Sequence, residues 1–138
     1  TIGTTRTRPA EYALHHINNS SVRSLQIVNC STLTNAHVSV LSVVTELVIC
    51  DAGAGLTNSG VSTIVAKCAH LSTLKLCRCI GLTHSVVLPV LQKCMSLRCF
   101  NYYTHYDMFN SREETVEKKV LFEIVKAVYP HVQEFKLT

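Results

Sequence analysis

The sequence has few charged residues, no long apolar run and no glycine-rich phosphate-binding loop. Only 16% of its residues are charged while 47% are hydrophobic, so the chain has enough material for a core and disorder is not expected. No apolar segment reaches the length of a transmembrane helix. The Ala-Gly-Ala-Gly stretch at residues 52–55 lacks the Lys-Ser/Thr pair of a phosphate-binding loop, and no nucleophile, base and acid recur at a recognisable spacing. We therefore expect neither a membrane span nor an enzyme.

The positive charge is small and dispersed. The formal net charge is +4, and the 13 Lys and Arg residues are scattered along the chain. Nucleic-acid-binding domains gather their positive charge in one patch, so a solvated surface is the simpler interpretation here. We expect protein partners and no nucleic acid.

What the sequence does contain is a repeated apolar pattern, clearest at residues 71–94. Leu71, Leu74 and Leu76 are spaced as in L-x-x-L-x-L, and Cys79 follows three residues later. The leucines alternate as in a short strand, and the next segment has apolar residues at helical spacing, at Val86, Val87, Val90, Leu91 and Cys94. A strand and a helix in about 26 residues, with Cys or Asn at this position, are typical of one leucine-rich repeat.

One such unit cannot bury its apolar face alone, so it needs similar units beside it. The same pattern does recur along the chain. Equivalent strand positions are separated by 22, 27, 26 and 35 residues and fall at Leu25, Leu47, Leu74, Phe100 and Phe135. We therefore predict an α/β fold, a right-handed leucine-rich-repeat solenoid of about five units, with short parallel strands on the concave face and helices on the convex face. Residues 1–138 form a single domain in this prediction.

The residues before the first complete unit have the pattern of an earlier unit's helix. Residues 1–8 are polar and expected to be frayed, whereas residues 9–17 carry apolar residues at helical spacing, and Asn18 and Asn19 follow them. The chain is therefore expected to start inside a repeat array, with a preceding strand or capping segment either missing or in an absent region.

The helices of the first two complete units are expected to differ in length. Residues 36–43 should form little more than one helical turn. In the next unit, Thr57 or Asn58 is expected to cap a helix that ends near Lys67.

The fourth unit departs from the regular repeat through a longer loop after Tyr102. Residues 111–114 fit the S-x-x-E capping box, and Pro130 is expected to stop the helix that follows. Residues 132–138 should form the last strand. The apolar stripe of this helix is predicted at Val116, Val120, Leu121, Ile124, Val125 and Val128.

The seven cysteines fit packing better than disulfides. Cys30 and Cys79 occupy the Asn/Cys position of the repeat, and Cys68 and Cys94 lie at helix ends, each three residues before the next unit's first leucine. The repeat explains these four as small buried side chains, so a reduced intracellular compartment is expected, with cytoplasm and mitochondrion both open. No cofactor is expected.

A metal site at Cys77 and Cys79 is not favoured, because side chains two residues apart on a strand point to opposite faces. Cys50 and Cys77 should instead be neighbours on adjacent strands. A disulfide or soft-metal site there stays open as a minor alternative to two unpaired thiols.

The strand residues between the buried positions are predicted to form three exposed rows. The first row contains Ser24, Glu46, Thr73, Cys99 and Glu134, the second Gln26, Val48, Lys75, Asn101 and Lys136, and the third Val28, Cys50, Cys77, Tyr103 and Thr138. These rows would form a continuous surface, apolar along one side, and are the default partner-binding face. The strand residues predicted to bind a partner are Gln26, Glu46, Val48, Thr73, Lys75, Cys77, Asn101 and Tyr103.

The loop at residues 103–109 is the second candidate for partner binding. It is aromatic for an exposed connection, and Tyr, Phe and Met are enriched at protein interfaces. Tyr106 and Phe109 are its predicted contact residues. The alternative, that these side chains fold back onto the core, stays equally open.

The segment KLCRCIGLT, together with Cys94 at the end of its unit, resembles the cysteine-containing subclass of leucine-rich repeats. That subclass is common in F-box proteins, where the repeats hold the substrate of an SCF ubiquitin ligase. The resemblance covers residues 22–138 and implies recognition of another protein. No F-box is present in this sequence.

A second, looser resemblance is to the mitochondrial family that includes ATP synthase subunit s, or coupling factor B. It rests on residues 76–79, Leu-Cys-Arg-Cys, and on residues 111–137, which combine an acidic-capped helix, a proline and a final strand. This resemblance implies a subunit or assembly factor of a large complex. Both resemblances imply scaffolding or recognition without chemistry of its own.

Overall fold

The structure is a computed structural model that describes residues 2–3, 14, 16–18, 20–103 and 112–137. Within these residues the chain alternates short strands with helices. The strands are β1 (Ile2–Gly3), β2 (Ser24–Val28), β3 (Glu46–Cys50), β4 (Thr73–Cys77), β5 (Cys99–Tyr103) and β6 (Glu134–Leu137). The helices are α1 (Asn35–Val38), α2 (Asn58–Lys67), α3 (Val87–Lys93), which a 3₁₀ turn at His84–Val86 precedes, and α4 (Arg112–Val128).

The described strands form one parallel sheet of six strands whose spatial order is the order of the chain. Leu25 pairs with Leu47, Leu47 with Leu74, Leu74 with Phe100, and Phe100 with Phe135. These are the equivalent positions of the sequence repeat, so the predicted register is confirmed. The fold is therefore α/β, with a parallel sheet that alternates with helices along the chain.

One face of this sheet forms the core. In β2, β3 and β4 the second and fourth residues are buried and the others are less so. The buried strand residues join one apolar cluster with the inward side chains of the helices, among them Val61, Ile64 and Val65 of α2 and Val87, Val90 and Leu91 of α3. The helices thus pack against this face, and the opposite face, which we call the outer face, is left for other contacts.

A left-handed residue follows each of β2, β3 and β4. Its φ is 55° at Asn29, 58° at Asp51 and 50° at Arg78. Each of these residues donates its backbone N–H to the carbonyl oxygen of the last residue of the next strand, at 3.0, 2.9 and 3.0 Å. Asn and Asp tolerate this conformation better than most residues, whereas Arg does not, so the inter-strand hydrogen bond must offset its strain.

Asparagine side chains at the start of α1 and α2 connect consecutive units. Asn35 Nδ2 donates to Thr57 Oγ1 at 2.8 Å, and Asn35 Oδ1 accepts from the Thr57 N–H at 2.9 Å. Asn58 makes the same two bonds to Thr83, at 2.7 and 3.1 Å. Each amide therefore satisfies a backbone and a side-chain group of the next unit, which fixes how the two units stack.

The bridge from Asn35 to Thr57 also bears on the predicted cap of α2. The helix begins at Asn58 and ends at Lys67, as expected, and Thr57 stands at the N-cap position. Its side chain makes no capping bond, and its hydroxyl accepts from Asn35 of the preceding unit. The four-residue α1 confirms that the first unit has little more than one helical turn.

Glycine allows the closest approach between units. A β-carbon at Gly81 would collide with the carbonyl oxygen of Leu56, and one at Gly53 would collide with that of Ser31. The glycines of residues 52–55 and 80–82 therefore set the spacing of consecutive turns.

One prediction about the start of the chain was wrong. The strand of the earlier unit is not missing, because Ile2 and Gly3 pair in parallel with Ile27 and Val28 of β2. Two residues carry no alternating pattern, which is why the sequence did not reveal them. Leu14 is helical and fully buried, in agreement with the predicted earlier helix.

The apolar stripe of α4 is narrower than predicted. Leu121 and Val125 are buried, whereas Val120 is 52% exposed and Val128 is 60% exposed. Val120 lies in an open groove between α4 and α3, beside Leu88 and Pro89, so its side chain contacts solvent as well as protein. The helix begins at Arg112 and ends two residues before Pro130, as expected, while the predicted cap at Ser111 lies outside the described residues.

The register can be tested at adjacent residues of β4. Leu74→Ala should lower the free energy of unfolding by about 2–5 kcal/mol, because the fully buried side chain leaves a cavity. Thr73→Ala, on the outer face, should change it by less than about 1 kcal/mol. Urea unfolding followed by circular dichroism measures both.

Leu74→Asp should prevent folding, because it places an unpaired carboxylate in the core, and a stable Leu74→Asp variant would contradict this register.

Candidate partner-binding face

The outer face carries the three rows that the sequence predicted. Strand pairing aligns Ser24, Glu46, Thr73, Cys99 and Glu134 in one row, Gln26, Val48, Lys75, Asn101 and Lys136 in the next, and Val28, Cys50, Cys77 and Tyr103 in the third. Thr138, the last predicted member of the third row, lies outside the described residues. The first two rows cross five adjacent strands and the third crosses four, so together they form one continuous surface.

Most of the predicted contact residues are accessible on this surface. Gln26 and Glu46 are exposed, and the other accessible ones, Val48, Thr73, Lys75, Cys77 and Tyr103, are half-buried. The third row is the least polar, with a valine, two cysteines and a tyrosine at the carboxyl ends of the strands. The charged side chains Glu46 and Lys75 lie on the central strands. The face thus offers an apolar margin beside charged groups, which is the composition of a protein-binding surface.

Asn101 is a correction to the predicted contact residues, because its side chain is only 3% exposed. It lies between Lys75 and Lys136 on the neighbouring strands, and its Nδ2 donates to Glu134 Oε2 at 3.2 Å. The Glu134 carboxylate thus reaches across to β5 and helps to cover the amide. Among the described residues, the buried Asn101 Oδ1 has no hydrogen-bond partner. A direct contact between Asn101 and a partner is therefore not available in this structure.

Glu134 also binds the thiol of Cys99, a contact that the sequence analysis missed. Cys99 Sγ donates to Glu134 Oε2 at 2.7 Å, and Lys136 Nζ lies 3.6 Å from Glu134 Oε1. Burial, then the hydrogen bond to Glu134 and its charge, raise the pKa of Cys99 to about 11. The hydrogen bonds from Cys99 and then Asn101 lower the pKa of Glu134. At neutral pH the pair is a thiol and a carboxylate, so Cys99 is not an activated nucleophile.

A second polar group lies at the carboxyl ends of β3 and β4. Arg78 Nε and Nη2 donate to Asp51 Oδ1 and Oδ2 at 2.8 and 3.0 Å, a bidentate pair between two left-handed residues. The pair connects the turns after the two strands. It lies next to Cys50 and Cys77, which are neighbours in the third row, as predicted. Burial, followed by the neighbouring Cys77 thiol, raises the pKa of Cys50, and the Arg78 guanidinium opposes that shift.

The four cysteines assigned to packing are buried, which confirms that part of the prediction. Three of them donate to backbone carbonyls: Cys68 to Leu41 O at 3.6 Å, Cys79 to Ile49 O at 3.6 Å, and Cys94 to Leu71 O at 3.4 Å. The fourth, Cys30, is fully buried. Burial, as the largest cause in each case, raises the pKa values of Cys68 and Cys79 to about 11.

Most of the predicted binding loop lies outside the described residues. Tyr103 ends β5 and is half-buried, but Tyr106 and Phe109 of the predicted binding loop lie outside the described residues.

In the described part of the chain, His, Cys, Asp and Glu side chains form no group of three or more that could hold a metal ion. None of the described helices is both long and apolar enough to cross a membrane.

The raised thiol pKa values predict a loss of stability in alkaline solution. Below pH 9 the thiols of Cys68 and Cys79 are protonated in both states. Between about pH 9 and 11 the unfolded chain releases these protons while the folded chain keeps them, so each thiol should lower the free energy of unfolding by about 1 kcal/mol per pH unit. Urea unfolding across this range measures the slope.

Cys68→Ala provides the control for this pH dependence. It should lower stability at neutral pH, because it leaves a small cavity, but it should make the alkaline slope shallower, because one titrating group is gone. Equal slopes in wild type and variant would contradict the assignment of the protons to these thiols.

Comparison of the sequence with known protein families and with curated proteins gives no match in either case.

Proposed function

We propose that this chain is a right-handed leucine-rich-repeat solenoid that binds a protein partner through the outer face of its sheet, which would be the concave face. The proposal assigns it a scaffolding or recognition role without catalysis. The observation that carries it is the in-register alignment of outer-face side chains, most of them accessible, across five consecutive strands, β2 to β6.

The repetition of local contacts supports the solenoid. The same left-handed turn follows three successive strands, and the same asparagine bridge joins successive units twice. Such periodic contacts between sequence neighbours are what a stack of similar units produces. Each unit then adds one strand to the same face, so the face grows with the number of units.

The chemistry of the face supports a protein partner. The apolar third row can be buried in an interface, while Glu46 and Lys75 on the central strands can select a partner by charge. Lys75 is half-buried and lies between Val48 and Asn101 in the second row. We also propose a reduced, intracellular compartment, which is supported by the four buried thiols that serve as packing residues.

A charge reversal and a side-chain truncation on the face test this proposal. Lys75→Glu and Tyr103→Ala should leave folding intact and should weaken partner binding, by about tenfold or more if these residues lie near the centre of the interface. Partners are first identified by affinity purification from the native source and mass spectrometry, and each variant is then compared with wild type in quantitative pull-downs.

Lys119→Glu is the matched control, because it makes the same charge change at an exposed position of α4, on the helical side. It should keep every partner that wild type keeps. If Lys75→Glu and Tyr103→Ala both recover all partners unchanged, the outer face is not the binding surface. Circular dichroism and urea unfolding of each variant separate lost binding from lost folding.

A further inference from the structure

Two of the seven cysteines are neither buried in the core nor, within the described part of the chain, bonded to a carboxylate. All seven lie in the described part of the chain and are free thiols; four are buried in the core, and Cys99 donates to Glu134. The remaining two, Cys50 and Cys77, are half-buried and lie on the outer face. They are the last residues of β3 and β4 and are paired directly in the sheet.

The sheet holds these two residues at a separation that suits a disulfide. Neighbouring strands are about 4.7–4.9 Å apart, which puts paired Cα atoms within the range of about 4.4–6.8 Å found for disulfides; the Cβ atoms, at about the strand spacing, would need only a small approach to reach their usual range of about 3.5–4.5 Å. Both side chains point to the same face, because they occupy the same row. Cys79, by contrast, is buried on the opposite face and cannot compete for Cys77.

Contacts beyond the two cysteines keep the strands from separating. The Asp51 N–H donates to the carbonyl oxygen of Cys77 at 2.9 Å. The Asp51 carboxylate also binds the Arg78 guanidinium through two hydrogen bonds of 2.8 and 3.0 Å. These contacts join the same two strands immediately after the cysteines, so the thiols are held near each other in the folded chain.

From this geometry we propose that Cys50 and Cys77 are a reversible thiol–disulfide site. A small-molecule disulfide, such as oxidised glutathione, is the oxidant. The thiolate of one cysteine attacks a sulfur of the oxidant, forms a mixed disulfide and releases one glutathione thiol. The second cysteine then attacks the protein sulfur of the mixed disulfide and releases the second glutathione thiol. The two protein thiols thereby lose two electrons and two protons, which the oxidant gains.

The surroundings of the pair are compatible with a disulfide as the end product. The disulfide and the two thiols that it replaces are all uncharged, so burial of the pair, which raises the pKa of Cys50 by disfavouring its thiolate, does not oppose this end product. Both sulfurs remain accessible enough for a small thiol to reverse the reaction. The product would tie β3 to β4 at the outer face without a change of register. This inference does not depend on the proposed function.

Oxidation of the wild-type protein in glutathione buffers tests the site directly. Reduced protein is equilibrated with increasing ratios of oxidised to reduced glutathione, quenched with acid, alkylated and digested without reduction. Mass spectrometry should show a cross-linked peptide that joins Cys50 to Cys77 and is lighter by two hydrogen atoms than the two separate peptides. Added reduced glutathione should restore both free thiols.

Three controls establish that the folded structure selects this pair. Cys50→Ser and Cys77→Ser should each abolish the cross-link and leave the other cysteine as a mixed disulfide with glutathione. Cys99→Ser, which removes the other half-buried thiol of the outer face, should leave the cross-link unchanged. Wild type oxidised in urea should give several pairings, because the strands no longer hold the two residues together.

Two results with the native wild-type protein would overturn the inference. One is glutathione attached to both Cys50 and Cys77 with no cross-link between them. The other is a cross-link that joins a different pair. Both are measured on wild type, so they stand even if a serine variant fails to fold.

Discussion

The fold depends on the pairing of consecutive strands in one fixed register. Leu47 is fully buried on β3 only while Leu25 and Leu74 lie beside it on the neighbouring strands. A slip of one residue would turn these side chains to the outer face and bring polar ones into the core. The left-handed turns, the asparagine bridges and the glycine contacts all join one unit to the next. They fix the register locally, while the buried leucines supply most of the stabilisation through apolar burial.

The regular part of this architecture could be predicted from the sequence, because its cause is periodic. Alternation at Leu74 and Leu76, repeated in the other units, determines which strand face is buried and which residues become neighbours. The features that could not be predicted have no periodic pattern in the sequence. The strand at Ile2–Gly3 has only two residues, and it forms because β2 offers a free edge. In α4 the apolar residues span a wide arc, and periodicity alone does not show that Val120 lies at its open margin.

The candidate face shows the same division. The rows follow directly from the register, and the accessibility of Gln26 and Glu46 follows from alternation. The burial of Asn101 does not, because it depends on the Glu134 side chain, which comes from a strand 33 residues later in the sequence. The sequence did place Cys99 beside Glu134 in the first row. A carboxylate next to a thiol was a usable signal for the hydrogen bond between them.

The cysteines illustrate how strongly the register decides the role of a residue. Cys77 and Cys79 are separated by one residue, yet Cys79 is buried and bonds the carbonyl oxygen of Ile49, while Cys77 lies on the outer face. The alternation that keeps these two apart also places Cys77 beside Cys50, which is distant in sequence but adjacent in the sheet. In a parallel sheet of this kind, side chains can act together when they occupy the same row on neighbouring strands. Sequence-adjacent motifs such as Cys-x-Cys therefore carry less chemical information here than the pairing of one unit with the next.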